Sequence, residues 1–151
     1  MIEKPSVSPI VPVSPWAVGA LFFTGLIGVY VVPVQVGALI DGLHFSASRS
    51  GVLGTTEIAS MSIASIAVAA VVARFSLARL ALIGVGLAAV AELLTVILSN
   101  FTGLIFIRAA VGIGCGLTFG ATTAAIARCA LPDRVMGYGQ AFSSVIFSCS
   151  S

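Results

Sequence analysis

Four apolar stretches, each long enough to cross a lipid bilayer, dominate this sequence and constrain its fold more than any other feature. They cover residues 16–40, 51–73, 80–99 and about 104–127, and a fifth begins near residue 138 and is incomplete at residue 151. A helix needs about 20 predominantly apolar residues to cross the hydrocarbon, because its amide groups must bond within the helix there. The chain is 59% hydrophobic and only 8% charged, whereas soluble domains carry roughly 25% charged residues. The sequence therefore predicts an all-α, polytopic transmembrane helix bundle whose main partner is the lipid bilayer.

The region before the first apolar stretch has a different composition. Residues 1–15 hold four of the six prolines, and proline disfavours regular helix because it lacks an amide hydrogen. We therefore expect a disordered tail over residues 1–15 and a transmembrane bundle over residues 16–151. Short polar linkers between the stretches make consecutive helices antiparallel.

The positions of the basic residues predict the orientation of the bundle. Cytoplasmic loops of membrane proteins are enriched in Lys and Arg. With a cytoplasmic N-terminus, the outer loops contain only Arg49, and the inner segments contain Lys4, Arg74, Arg79, Arg128 and Arg134. We therefore expect a multi-pass protein of the cell membrane with its N-terminus and tail in the cytoplasm.

Several functional classes lack sequence support. A net charge of +2 with scattered basic residues gives no basic stripe for nucleic acid. The cysteines Cys115, Cys129 and Cys149 lack the spacing of a disulfide framework or zinc site, and we expect them to be small packing residues. No phosphate-binding loop or nucleophile elbow occurs. We expect neither an enzyme nor a bound metal or cofactor.

The fourth stretch contains a motif in which a Leu precedes an Arg by four positions and glycines follow it. This motif resembles the fourth-helix motif of the major facilitator superfamily, although Val111 stands where that family often has Gln. The matching residues are Leu104, Arg108, Gly112, Gly114 and Gly116.

Two other segments bear on this resemblance. The family's loop between its second and third helices corresponds to residues 69–78, where only Arg74 matches and the acid is missing. The turn at residues 132–140 also looks like the family's fourth loop, with a proline and charges before a glycine-bearing helix. The resemblance implies a secondary transporter coupled to protons or another gradient, which exports a small solute by antiport or takes it up. It further implies twelve helices in two six-helix halves, so this chain would be a truncated N-terminal half whose missing remainder is a partner.

Three charged residues, Glu57, Glu92 and Arg108, fall inside the apolar stretches. A charge in mid-bilayer costs at least about 2.5 to 3.5 kcal/mol on insertion scales, so these side chains should face protein or a wet cavity. All three lie roughly 6 to 10 Å below the outer helix ends at about 1.5 Å per residue. We expect Arg108 to pair with one carboxylate and the other to stay unpaired, as a candidate proton carrier. A static ion network that fixes helix packing, or hydration of Glu57 near the interface, are the alternatives.

The fourth stretch also carries a glycine repeat. Gly112, Gly116 and Gly120 recur every four residues, and such a stripe favours close helix approach. It is also compatible with a helix beside a transport path.

The first stretch contributes polar and helix-bending residues. Pro33 removes a backbone hydrogen bond and favours a kink, which is either a hinge or a static bend. Tyr30 and Gln35, beside it, are the candidates for substrate contact, with interfacial anchoring an equal alternative for Tyr30.

Two other functions compete with a transporter of the major facilitator type. A small dimeric multidrug exporter has a similar size, but that family places an essential Glu in its first helix and residues 16–40 contain no acid. A non-transporting membrane scaffold subunit would use the charges only for helix association. The sequence following Ser151 in the gene would discriminate best among these functions.

Overall fold

A computed structural model describes residues 15–71, 75–98, 100–128 and 137 of the chain. It contains four long helices and, over those residues, no strand: α1 (Pro15–Leu43), α2 (Ala47–Val71), α3 (Leu77–Ile97) and α4 (Phe101–Ile126). All four are long and apolar enough to cross a membrane, which confirms the predicted all-α fold. The tail up to residue 14 and the predicted span from residue 138 lie outside the described residues.

The connection between α1 and α2 is shorter than predicted. Residues 41–50 read as a linker, but α1 continues to Leu43 and α2 already begins at Ala47. His44 has a φ of 52°, the left-handed conformation that commonly follows the last residue of a helix. The chain therefore reverses over only three residues, 44–46.

Most of the serine and threonine hydroxyls that bond within the helices do so to a nearby carbonyl. Each of the following donates a hydrogen bond to the carbonyl four residues earlier: Thr24, Thr55, Thr56, Ser62, Ser65, Thr95, Thr118, Thr122 and Thr123. This local bonding suits a hydrocarbon environment, where no water is present to bond a free hydroxyl. The polar residues of the apolar stretches thus remain compatible with membrane helices.

Helix α4 lies at the centre of the bundle and packs against the other three helices. Its contacts with α2 run in the same direction along both helices, from Gly112 against Glu57 to Gly120 against Val68, so α2 and α4 are parallel. Its contacts with α3 run in opposite directions, because Gly114 meets Ala88 whereas Thr118 meets Ala81. This order confirms that α3 is antiparallel to both α2 and α4.

Glycines bring α4 close to two neighbours on two different faces. A side chain at Gly112 or Gly116 would collide with the backbone carbonyls of Glu57 or Met61 on α2. On the second face, a side chain at Gly114 would come within 2.7 Å of the Gly84 carbonyl on α3. The close approach predicted from the repeat 112, 116, 120 is confirmed against α2, whereas the contact with α3 was not predicted.

The outer surface of the bundle is apolar. Large side chains with more than two thirds of their surface exposed occur on every helix: Val34, Ile63, Ile66, Leu82, Leu93, Val96, Ile97 and Phe106. Soluble monomers rarely expose large contiguous apolar patches. The described helices are therefore suited to lipid on their outer faces.

Candidate functional site

One guanidinium nitrogen at the centre of the bundle joins side chains from all four helices. Arg108 Nη1 on α4 donates to Gln35 Oε1 on α1 at 2.6 Å, and it lies 3.3 Å from both Glu57 Oε2 on α2 and Glu92 Oε1 on α3. Gln35 Nε2 in turn donates to Glu92 Oε1 at 3.1 Å. We refer to Gln35, Glu57, Glu92 and Arg108 as the Arg108 cluster.

The two carboxylates of the Arg108 cluster differ in their access to the surroundings. The side chains of Arg108 and Glu57 are only 4% and 3% exposed, whereas that of Glu92 is 42% exposed. A charge half exposed at this depth of a span is too costly to face hydrocarbon. The open side of Glu92 must therefore face water or polar groups.

Two buried polar atoms of the cluster have no hydrogen-bond partner. They are Glu57 Oε1 and Arg108 Nε. Buried polar groups are almost always bonded, and each exception calls for an explanation. These atoms belong to the two most buried side chains of the cluster. The least accessible part of the cluster therefore contains its unpaired hydrogen-bonding atoms.

The pairing differs from the sequence prediction in one respect. The meeting of Arg108 with a carboxylate is confirmed, but the expectation that the second carboxylate stays unpaired is wrong, since both lie at the same distance from Nη1. The reason is the central position of α4, which contacts both α2 and α3. Sequence depth alone could not reveal that one helix faces both acids.

The residues predicted on α1 have separate locations. Gln35 belongs to the Arg108 cluster, two residues after Pro33, which lies within the continuous helix α1. Tyr30 lies one and a half turns earlier and is 38% exposed. The structure therefore brings Gln35 into contact with Arg108.

Gly28, which sequence reasoning missed, borders Glu57 together with Cys115. A side chain at Gly28 on α1 would lie 3.2 Å from both Glu57 Oε1 and Cys115 Sγ. Cys115 is a buried free thiol, as expected for a packing residue. The absence of a side chain at Gly28 thus leaves room for the unbonded oxygen of Glu57, a function that no sequence signal for Gly28 indicated.

The residues of the fourth-helix motif share one property. All of them are buried, and they follow the faces by which α4 contacts its neighbours: Leu104, Arg108, Gly112, Gly114 and Gly116. The charged member lies in the cluster and the glycines lie at helix contacts. Comparisons of the chain with protein-family models, curated proteins and solved structures found no match.

The formal charges of the Arg108 cluster do not cancel. Two carboxylates face one guanidinium, and the other formally charged side chains of the described residues, Asp41, Arg49, Arg79 and Arg128, lie near helix ends. Within the described residues, no group of three or more metal-binding side chains occurs. With both acids ionised, the cluster carries one unbalanced negative charge that a proton or another single positive charge can neutralise.

Proposed function

We propose that this chain forms part of a secondary transporter of the major facilitator type rather than an enzyme. It moves a small solute across the cell membrane, by antiport or by uptake, and uses protons as the coupling ion at the Arg108 cluster. Its N-terminus is cytoplasmic. The observation that carries this proposal is the pairing of the buried Arg108 with two carboxylates inside four candidate membrane spans.

The buried charges of the Arg108 cluster carry a cost in free energy. Burying an ion pair in a low-dielectric interior is often no more stable than packing apolar residues of similar volume. Ionisable residues within membrane spans therefore most often mark pathways for ions, protons or substrates. The unbalanced charge of the Arg108 cluster suits such a pathway, because uptake and release of a proton change its net charge between zero and minus one.

The resemblance of the fourth stretch to the major facilitator motif supports the same proposal. The motif glycines lie at helix contacts, and the motif arginine lies in the only buried ion-pair cluster of the described residues. A scaffold subunit is the second candidate, because the cluster joins all four helices and could serve only to hold them together.

A proton-flux assay separates the transporter from the scaffold. Inside-out vesicles from cells expressing the complete gene, including any residues after Ser151, would be energised to acidify their interior. A panel of cationic, neutral and anionic solutes of matched size would then be added. For a transporter, at least one solute dissipates the pH gradient, and Arg108→Ala abolishes this response at unchanged membrane levels.

The matched control is Arg79→Ala, which removes an exposed arginine at the start of α3 and should leave the flux unchanged. A pH gradient that no solute alters, together with a loss of stability in the Glu57→Gln variant, would favour the scaffold.

A further inference from the structure

The access to the Arg108 cluster indicates which class of ligand it can admit. Helices α1 and α3 both pack on α4 but contact each other only sparsely. Gln35 from α1 and Glu92 from α3 hydrogen-bond to each other across this sparsely packed boundary, which we call the groove, and both contact the more buried Arg108 of α4. A ligand entering this groove therefore meets Glu92 before it meets Arg108.

The charge seen by such a ligand is negative. Glu92 is the exposed acid of the cluster at 42%, whereas the compensating guanidinium is only 4% exposed. An anion could reach Arg108 only past a carboxylate, and like charges in close contact cost several kcal/mol. A cation meets a carboxylate directly.

A second observation points to a missing positive charge. Glu57 Oε1 is buried without a hydrogen-bond partner, and Glu57 shares its one cationic neighbour, Arg108 Nη1, with Glu92. If an incoming cation neutralises Glu92, the guanidinium is available to Glu57 alone. The two acids thus need one more positive charge than the described residues supply.

We propose that the groove between α1 and α3 at the level of Arg108 binds a small organic cation, such as a quaternary ammonium or phosphonium ion, through Glu92. This inference rests on the proposed function, because it names the substrate class of the same site. Glu92 contacts the cation, and Gln35 is a positioning residue that holds the Glu92 carboxylate toward the groove.

Direct binding to the purified product of the complete gene, including any residues after Ser151, tests this assignment independently of transport. The probes are radiolabelled tetraethylammonium and tetraphenylphosphonium, measured by equilibrium dialysis in detergent against empty micelles. At least one cation should bind saturably, and Glu92→Gln should weaken that binding by about tenfold or more, as expected for loss of a charge pair. Glu92→Asp, which keeps the charge, should retain more affinity than Glu92→Gln.

Two controls address folding and charge selectivity. Asp41→Asn makes the same acid-to-amide change at an exposed position at the end of α1 and should leave binding unchanged. The amide oxygen of Gln at position 92 can still accept from Arg108 and Gln35, so this variant should keep the thermal stability of the wild type. Tetraphenylborate, an anion of matched size, should not displace either cation.

The outcomes separate this inference from the proposed function. Absence of saturable binding of both cations, equal affinity in Glu92→Gln, or displacement by tetraphenylborate would overturn it. Flux of only a neutral or anionic solute in the vesicle assay would also overturn it while supporting the transporter. Cation binding that depends on Glu92 without any solute-driven proton flux would support the binding site and count against the transporter.

Discussion

At the scale of single residues, Arg108 is the group on which the buried polar contacts converge. Its Nη1 atom serves one amide and two carboxylates, whereas its Nε atom has no partner. The sequence could identify Arg108, Glu57 and Glu92, because charges stand out inside apolar spans. It could not assign their pairing, because the rotation of each helix about its axis decides which side chains meet. In these spans both the buried and the exposed faces are apolar, so the sequence gives little indication of that rotation.

The first prediction concerns the coupling between Arg108 and Glu57. Arg108→Ala should lower the free energy of unfolding by about 3 to 5 kcal/mol, because it leaves buried acids uncompensated. Adding Glu57→Gln should recover part of this loss, with a coupling of about 0.5 to 3 kcal/mol. Reversible unfolding in mixed micelles, applied to the wild type and the three variants, measures this cycle.

The corresponding cycle with Glu92→Gln provides the comparison. Its coupling should be smaller, because the half-exposed Glu92 reaches polar surroundings when its partner is removed. Strictly additive effects of Arg108→Ala and Glu57→Gln would contradict the shared pairing. Compared with Arg108→Ala, the variant Arg108→Lys should regain more stability than transport activity, because Lys keeps the positive charge but lacks the planar set of donors.

At the scale of the helices, the glycines of α4 and α3 determine how closely the bundle packs. The repeat 112, 116, 120 predicted one close contact, because glycines four apart share a helix face. The contact of Gly114 with Gly84 was missed, because neither glycine belongs to a repeat and their proximity depends on two separate helices. Only the packed structure shows that α4 is approached closely from two directions.

The second prediction compares two glycines on α3 that differ only in their surroundings. A side chain at Gly84 would come within 3 Å of the Gly114 carbonyl and Thr118, whereas nothing lies within 4 Å of one at Gly86. Gly84→Ala should therefore destabilise the bundle by about 1 to 3 kcal/mol through overpacking. Gly86→Ala should be neutral or stabilising by up to about 1 kcal/mol, because Ala favours helix over Gly.

Thermal unfolding of the two variants in the same detergent measures this difference. Equal unfolding temperatures for Gly84→Ala and Gly86→Ala would show that α3 and α4 are not packed this closely.

At the scale of the whole molecule, the positions of the four described spans could be predicted, and their arrangement could not. Apolar length alone identifies these spans, and the first four predicted spans correspond to the helices α1 to α4. The central position of α4 depends on packing that no single span reveals. Ser46 and Ser76 lie at opposite ends of the bundle, because α2 separates the loops that contain them.

The third prediction concerns the orientation of the bundle. With the native cysteines replaced, a single cysteine at Ser46 should react with a membrane-impermeant thiol reagent on intact cells. One at Ser76 should react only after the membrane is opened, because its loop lies on the side enriched in arginine. Both serines are exposed in the structure, so accessibility within the protein does not bias the comparison, and the reverse labelling pattern would overturn the orientation.

The triple contact at Arg108 Nη1 has a consequence for communication across the bundle. An arginine Nη atom carries only a pair of hydrogen atoms, yet three acceptor oxygens from three helices lie within reach. The acceptors therefore compete, and a hydrogen withdrawn from one oxygen becomes available to another without movement of a helix. We therefore expect a chemical event at Glu92, on the groove, to reach Glu57 in the interior through a redistribution of hydrogen bonds around a single nitrogen.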